Sequence, residues 1–169
     1  LSNTTFGLSV ATFAAGALLS GLTAGALIRR FGSARVAVAT SLLVALCTFA
    51  AAVATVPAAF AAALFAAGAA DAVTDVAQNA HGLRVQRNYG RSIINSLHAV
   101  WSAGAVLGGL LGAAAIAAGV SRGMQLGLTG TVFATACLVG YRFLLRGPDD
   151  PAPGAGATGT GRPTSRTWV

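Results

Sequence analysis

The sequence predicts an all-α integral membrane protein with five transmembrane helices. Of its 169 residues, 55% are hydrophobic and 9% are charged, whereas soluble domains carry about 25% charged residues. The mean hydropathy is +0.72. Five runs of roughly 20 mostly apolar residues are long enough to cross a bilayer. The net charge of +7 comes from eleven arginines, but no basic and aromatic residues alternate as in nucleic-acid interfaces, so the predicted partner is the lipid bilayer and not nucleic acid.

The five predicted spans follow one another with short connections, which favours antiparallel packing of successive helices. Pro57 separates the second span from the third, because proline cannot continue a helix beyond its first turn. After Arg146 the chain becomes rich in Gly, Pro and Thr, so residues 1–146 are predicted to form the bundle and residues 147–169 a central linker. The spans are Phe6–Ile28, Val36–Val56, Ala58–Ala80, Ser96–Gly119 and Gly123–Leu145.

The arginines predict the orientation of the helices. Ten of the eleven lie in residues 29–35, in residues 81–95 or from the end of the fifth span onward, and only Arg122 lies on the other side. Positive residues favour the cytoplasm, so loops 29–35 and 81–95 and the tail 146–169 are predicted to be cytoplasmic in a multi-pass protein of the cell inner (plasma) membrane. The N-terminus is then outside, with no initiator Met and no signal peptide. We therefore expect a fragment that lacks an upstream helix and whose last residues, Thr167–Val169, begin another span.

A polar stripe runs along the third predicted span. Its members, spaced at i, i+4, i+7, i+8 and i+11, share one face of an α-helix. A charged residue at the bilayer centre costs roughly 2.5–3.5 kcal/mol on insertion scales, so such residues usually face a polar pathway. The stripe consists of Asp71, Asp75, Gln78, Asn79 and Gly82.

The first predicted cytoplasmic loop, residues 25–35, reads GALIRRFGSAR. It resembles the loop between helices two and three of the major facilitator superfamily, Gly-x-Leu-x-Asp-Arg-x-Gly-Arg-Arg, where it acts as a cytoplasmic gate. Arg29 stands where the family has Asp, which departs from the family's form of the gate. A simple positive-inside loop ended by a glycine is the alternative. The residues that match in position or nearly so are Gly25, Leu27, Arg30, Gly32 and Arg35.

A longer resemblance covers residues 68–112, which look like helices four and five of the fucose-permease-like branch of that superfamily. Asp75 with Asn79 matches its acidic residue and Asn one turn later, and His98 with Ser102 matches its His-x-x-x-Ser element. The two resemblances together order the spans as helices two to six of a twelve-helix major facilitator fold. This agrees with the expectation of a missing first helix.

The resemblance implies a secondary active transporter, not an enzyme, that needs no cofactor and works as a monomer when complete. It would move a small solute of the sugar type across the membrane by alternating access, coupled to protons, as a symporter. Asp75 would carry the proton, and Asp71 would share it or bind substrate hydroxyls. His98 is either a proton relay or a satisfied interface residue, and Trp101 either stacks on a sugar ring or packs between helices.

Two other function classes remain open from the residues. Asp71 and Asp75 could hold Mg²⁺ in a membrane phosphotransferase, but further acids are required and those at positions 149 and 150 lie far away in sequence. The chain could also be a structural five-span protein. Two small-residue stripes, Gly104 with Gly108 and Gly112, and Gly21 with Gly25, predict close helix contacts. His81 is expected simply to end its helix.

Overall fold

The computed structural model describes residues 3–147 and residue 149. The described residues form six α-helices, and a 3-10 turn at Gly21–Thr23 joins the first two into one span, Asn3–Phe31. Five helical segments are long and apolar enough to cross a membrane, which confirms the predicted fold class. Apart from positions 147 and 149, the predicted linker lies outside the described residues. The helices are α1 (Asn3–Ser20), α2 (Ala24–Phe31), α3 (Ser33–Val53), α4 (Pro57–Tyr89), α5 (Ile94–Ala117) and α6 (Arg122–Tyr141).

Three residues mark the ends of the helices as their chemistry requires. Gly32 separates α2 from α3 with φ +84°, a conformation that glycine adopts without a steric cost. Pro57 occupies the first turn of α4, where its missing N–H costs nothing. Ser121 caps α6, since its Oγ accepts a hydrogen bond from the Met124 N–H.

Helix α4 is longer than predicted. It runs to Tyr89 instead of ending near Ala80, so residues 81–89 of the expected loop are helical. The polar residues after Ala80 lower the hydropathy without breaking the helix, which continues until Gly90 adopts φ +68°. The predicted loop 81–95 is therefore corrected to a short connection between Tyr89 and Ile94.

Helices α1 and α4 pack closely along a face of small residues. A Cβ atom at Gly16 would overlap the backbone carbonyl of Phe65, and one at Gly68 would overlap the carbonyl of Phe13. On either side of Gly16, Thr12 Oγ1 donates to the carbonyl of Ala61 and Ser20 Oγ donates to that of Ala69, each at 2.8 Å. Small residues and interhelical hydrogen bonds are what hold helices together in lipid.

The remaining large contacts join α3 to both α4 and α6. Apolar residues of α2, α3 and α4 form the buried core, and Thr74 Oγ1 donates to Thr40 Oγ1 across α4 and α3 at 2.7 Å. Helix α5 makes its main contact with α4, where Ile94 and Leu97 approach Gly82. The core residues are Ala24, Val36, Ala37, Val73 and Ala77.

Two expectations about packing are wrong for the described part of the chain. Successive helices are not generally the closest neighbours, because the first span packs mainly on α4 and α6 packs on α3. The small-residue stripes make little close contact either: no described atom of another element lies within 4 Å of a Cβ built at Gly21, Gly104 or Gly108, and one at Gly112 would meet only the Gln125 side chain of α6, at 3.6 Å. The close contact lies at Gly16 and Gly68 instead.

Candidate functional site

A cavity of about 570 Å³ lies between α3, α4, α5 and α6. Cavities of roughly 300–1,000 Å³ with mostly apolar walls and a few polar groups are typical of small-molecule sites. Apolar side chains form most of the wall, including Val38, Val85 and Leu97. The polar and aromatic residues of the wall include Ser41, Asp75, Gln78, Asn79, His98 and Trp101.

Within this cavity, Asp75 and Asn79 form a hydrogen-bonded pair on α4. Asn79 Nδ2 donates to Asp75 Oδ1 at 3.1 Å and to the Asp75 carbonyl at 2.9 Å. Gln78 Nε2 reaches Ser41 Oγ on α3 at 3.4 Å. The opposite side of α4 is buried at Val73 and in the rest of the core, so the polar stripe lies on the face turned away from the core.

Asp71 is the one member of the polar stripe outside the cavity. It lies one helical turn before Asp75 and is exposed. The structure thus groups Asp75 with Gln78, Asn79 and Gly82 around one cavity and leaves the first carboxylate of the stripe apart from them.

Helix α5 contributes His98 and Trp101 to the opposite wall of the cavity. His98 Nδ1 lies 3.0 Å from the carbonyl oxygen of Ile94, and Ser102 Oγ donates to the His98 carbonyl at 2.9 Å. The side chains of His98 and Ser102 therefore hydrogen-bond to the backbone of their own helix. Trp101 is 70% exposed, so its ring is free of tight packing within the described residues.

A second polar cluster, missed by the sequence analysis, joins three elements at the arginine-rich end of the bundle. The Asp149 carboxylate accepts hydrogen bonds from the Ser33 N–H and the Ser33 Oγ, both at 2.6 Å. Ser33 Oγ lies 3.1 Å from His81 Nδ1, while the buried His81 Nε2 has no partner among the described residues. His81 does not end its helix, because α4 continues to Tyr89. Asp149, which was expected in a linker, caps the start of α3 by accepting a hydrogen bond from the Ser33 N–H.

Arg84 binds Asp149 and the backbone of the residues that follow α6. Its guanidinium lies 3.5 Å from Asp149 Oδ1 and donates to the carbonyls of Arg146 at 2.7 Å and Gly147 at 3.1 Å. Burial raises the pKa of the Asp149 carboxyl, but the hydrogen bonds from Ser33 and the charge of Arg84 outweigh it and hold the pKa below its ordinary value. The one signal in the sequence that could have drawn attention to Asp149 is that the chain has only four acidic residues.

The loop with the family-like pattern is almost entirely helical. Arg29 and Arg30 lie in the last turn of α2, and Arg35 is exposed in the first turn of α3. The Arg30 guanidinium carbon lies 5.3 Å from the centre of the Phe31 ring. Gly25 precedes them in α2, where a Cβ would lie 3.4 Å from the Arg29 side chain.

Among the residues that the structure describes, no three His, Cys, Asp or Glu side chains are grouped as metal ligands. Asp71 and Asp75 lie on α4, whereas Asp149 is bound to Ser33 and Arg84 at the end of the bundle. Asp150 lies outside the described residues, and among those described no third carboxylate lies beside Asp71 and Asp75.

A sequence model of the Major Facilitator Superfamily matches residues 1–169. The chain belongs to the major facilitator superfamily. It is also similar to an uncharacterized transporter, y4wD, of Sinorhizobium fredii, with 36% identity over 110 residues that cover 64% of this chain and 29% of the relative. The chain thus spans less than a third of that relative in the matched region. No solved structure matches the chain.

Membership of the major facilitator superfamily confirms the expectation of a multi-pass membrane protein from a transporter family. It also points away from the phosphotransferase alternative, since the family and the relative are both transporters. The comparisons stop at the superfamily and do not extend to the fucose-permease-like branch.

Proposed function

We propose that this chain forms part of a secondary active transporter that moves a small solute of the sugar type by alternating access, coupled to protons. The observation that carries the proposal is the cavity that contains Asp75 and Asn79 on one side and His98 and Trp101 on the other. Ionisable residues within membrane spans are costly and mark substrate or proton pathways.

Asp75 is the proposed proton site. A carboxyl group favours its protonated form in a dry, apolar surrounding and its charged form in water, so opening the cavity to alternate sides would load and unload a proton. The amide of Asn79, 3.1 Å from Asp75 Oδ1, stabilises the charged form when water enters. Asp71, one helical turn away and outside the cavity, is proposed to share the proton with Asp75 or to bind hydroxyl groups of the substrate.

His98, Gln78 and Trp101 are the proposed solute contacts. Gln78 and His98 Nε2, the ring nitrogen that does not contact Ile94, can hydrogen-bond to hydroxyl groups. Trp101 offers an exposed ring on the same wall as His98, and such a ring can stack on the apolar face of a sugar ring. The substrate is therefore proposed to be polar and uncharged.

The five spans are proposed to correspond to helices two to six of a twelve-helix permease, with residues 147–169 as the central linker. The arginine-rich ends then face the cytoplasm in the inner membrane, and residues 25–35 act as the cytoplasmic gate. Because Arg29 replaces the family's Asp in that loop, we propose that Asp149 supplies the missing carboxylate through its hydrogen bonds to Ser33 at the start of α3.

The test is solute uptake into proteoliposomes that contain the complete transporter, with a panel of labelled monosaccharides and an imposed inward proton gradient. We expect at least one sugar to accumulate above equilibrium. Asp75→Asn should abolish this accumulation but preserve exchange of the same sugar without a gradient, while Asp71→Asn should retain accumulation at a reduced level. Undiminished accumulation in Asp75→Asn would remove Asp75 from the coupling mechanism.

A further inference from the structure

A second cavity, of about 780 Å³, lies where α2 ends, α3 begins and α6 ends. We call it the arginine cavity. Its apolar wall includes Ile28, Phe31 and Leu145, and the Phe31 ring is 48% exposed. Its charged wall consists of Arg29, Arg30, Arg35, Arg146 and Asp149.

None of the four arginines of this cavity forms an ion pair with a carboxylate of the described residues. Within residues 3–147 and residue 149, the one ion pair joins Arg84 to Asp149. The carboxylate of Asp149 is further occupied by two hydrogen bonds from Ser33. The cavity therefore concentrates guanidinium groups that repel one another unless an anion lies between them.

The position of the cavity indicates the kind of anion. The spans that border it end at Phe31 and Tyr141, so the arginines lie at the level where helices leave the hydrocarbon core and the headgroups begin. The apolar wall at Ile28 and Leu145 lies beside them. A ligand with a phosphate and an attached hydrocarbon chain would satisfy both parts of the wall.

We propose that the arginine cavity binds the phosphate headgroup of an anionic phospholipid, with its acyl chain along the apolar wall. Guanidinium groups bind phosphate oxygens through paired N–H donors, and basic pockets between helices on the cytoplasmic side bind anionic headgroups. The ligand would bridge α2, α3 and α6 at the end of the bundle next to the Ser33–Asp149 contact. The inference uses the orientation proposed above and is independent of what the transporter carries.

The experiment measures binding of spin-labelled phosphatidylglycerol to the complete protein in phosphatidylcholine nanodiscs. The cavity variant is Arg35→Gln with Arg146→Gln. The matched control, Arg87→Gln with Arg91→Gln, removes the same charge from exposed positions outside the cavity at the same end of the bundle. The cavity variant loses two guanidinium groups that would contact the phosphate and should bind roughly tenfold or more weakly. The control arginines lie outside the cavity, where solvent and salt screen their charge, so the control should change by no more than about threefold.

Equal weakening in both variants, or none in either, would overturn the proposal, since binding would then be general surface attraction or lie elsewhere. Inorganic phosphate, added at the same concentration as the lipid probe, should not displace it. Full displacement would assign the cavity to a soluble anion and overturn the lipid assignment. If the double variant does not fold, the single variant Arg146→Gln replaces it. It is expected to weaken binding by about half as many orders of magnitude as the double variant.

Discussion

Replacing Gly16 with alanine should destabilise the bundle, although alanine is the better helix former. The added Cβ would overlap the backbone carbonyl of Phe65 and lie 3.0 Å from the Ala69 nitrogen. Because these atoms belong to the backbone of α4, no rotamer change can relieve the clash and α1 must move away. That movement would also stretch the hydrogen bonds of Thr12 and Ser20 to α4.

The magnitude follows from three effects. Overpacking costs typically about 1–3 kcal/mol, and each interhelical hydrogen bond in a membrane protein contributes about 0.6 kcal/mol. Alanine regains about 1 kcal/mol of helix propensity over glycine. We therefore expect Gly16→Ala to lower the free energy of unfolding by roughly 1–3 kcal/mol.

Gly108→Ala on α5 is the matched control. No described atom of another element lies within 4 Å of a Cβ built there, so only the propensity gain applies and stability should stay equal or rise by up to about 1 kcal/mol. Both variants can be compared by denaturation in one detergent, with tertiary structure followed by near-UV circular dichroism. Equal effects of the two substitutions would refute the close α1–α4 contact as the origin of the difference.

Two further predictions concern Asp149 and Cys137. Burial raises the pKa of Asp149, but the Ser33 hydrogen bonds and Arg84 lower it below its ordinary 3.8, so the charged carboxylate stabilises the fold above that pH and loses this effect as pH falls through the lowered pKa. Thermal unfolding should show a deficit for Asp149→Asn that is present at neutral pH and shrinks as the pH falls below about 4; a deficit that stays undiminished below that pH would contradict this. Cys137 lines the Asp75 cavity whereas Cys47 does not, and both are free thiols. A membrane-impermeant maleimide should modify Cys137 from the arginine-rich side in a Cys47→Ser background and leave Cys47 unmodified in a Cys137→Ser background; equal reaction of both thiols would contradict a water-accessible cavity.

Local sequence patterns predicted the spans and part of the candidate site. Apolar run length and Pro57 were sufficient for the number and order of the spans. Helical periodicity placed Asp75 and Asn79 on one face, because a spacing of four residues fixes that relation whatever the surroundings are. Whether that face meets lipid, another helix or a cavity depends on neighbours that the spacing does not specify.

Contacts between distant residues could not be predicted in this way. Ser33 and Asp149 are 116 positions apart, and neither belongs to a periodic pattern. The sequence predicted close contacts at Gly104 and Gly108 and did not single out Gly16 or Gly68, yet it is at Gly16 and Gly68 that a Cβ would overlap the backbone of another helix. Small residues permit close approach, but the partner helix is chosen by the whole bundle.

The most direct test of the central claim is solute-induced proton movement in proteoliposomes with a trapped pH-sensitive dye. Addition of the accumulated monosaccharide to the complete transporter should move protons together with the sugar. Asp75→Asn should exchange that sugar without any proton movement, and Asp71→Asn should still couple the two. Proton movement in Asp75→Asn equal to that of the unmodified protein would contradict the assignment of the proton site to the cavity between α3, α4, α5 and α6.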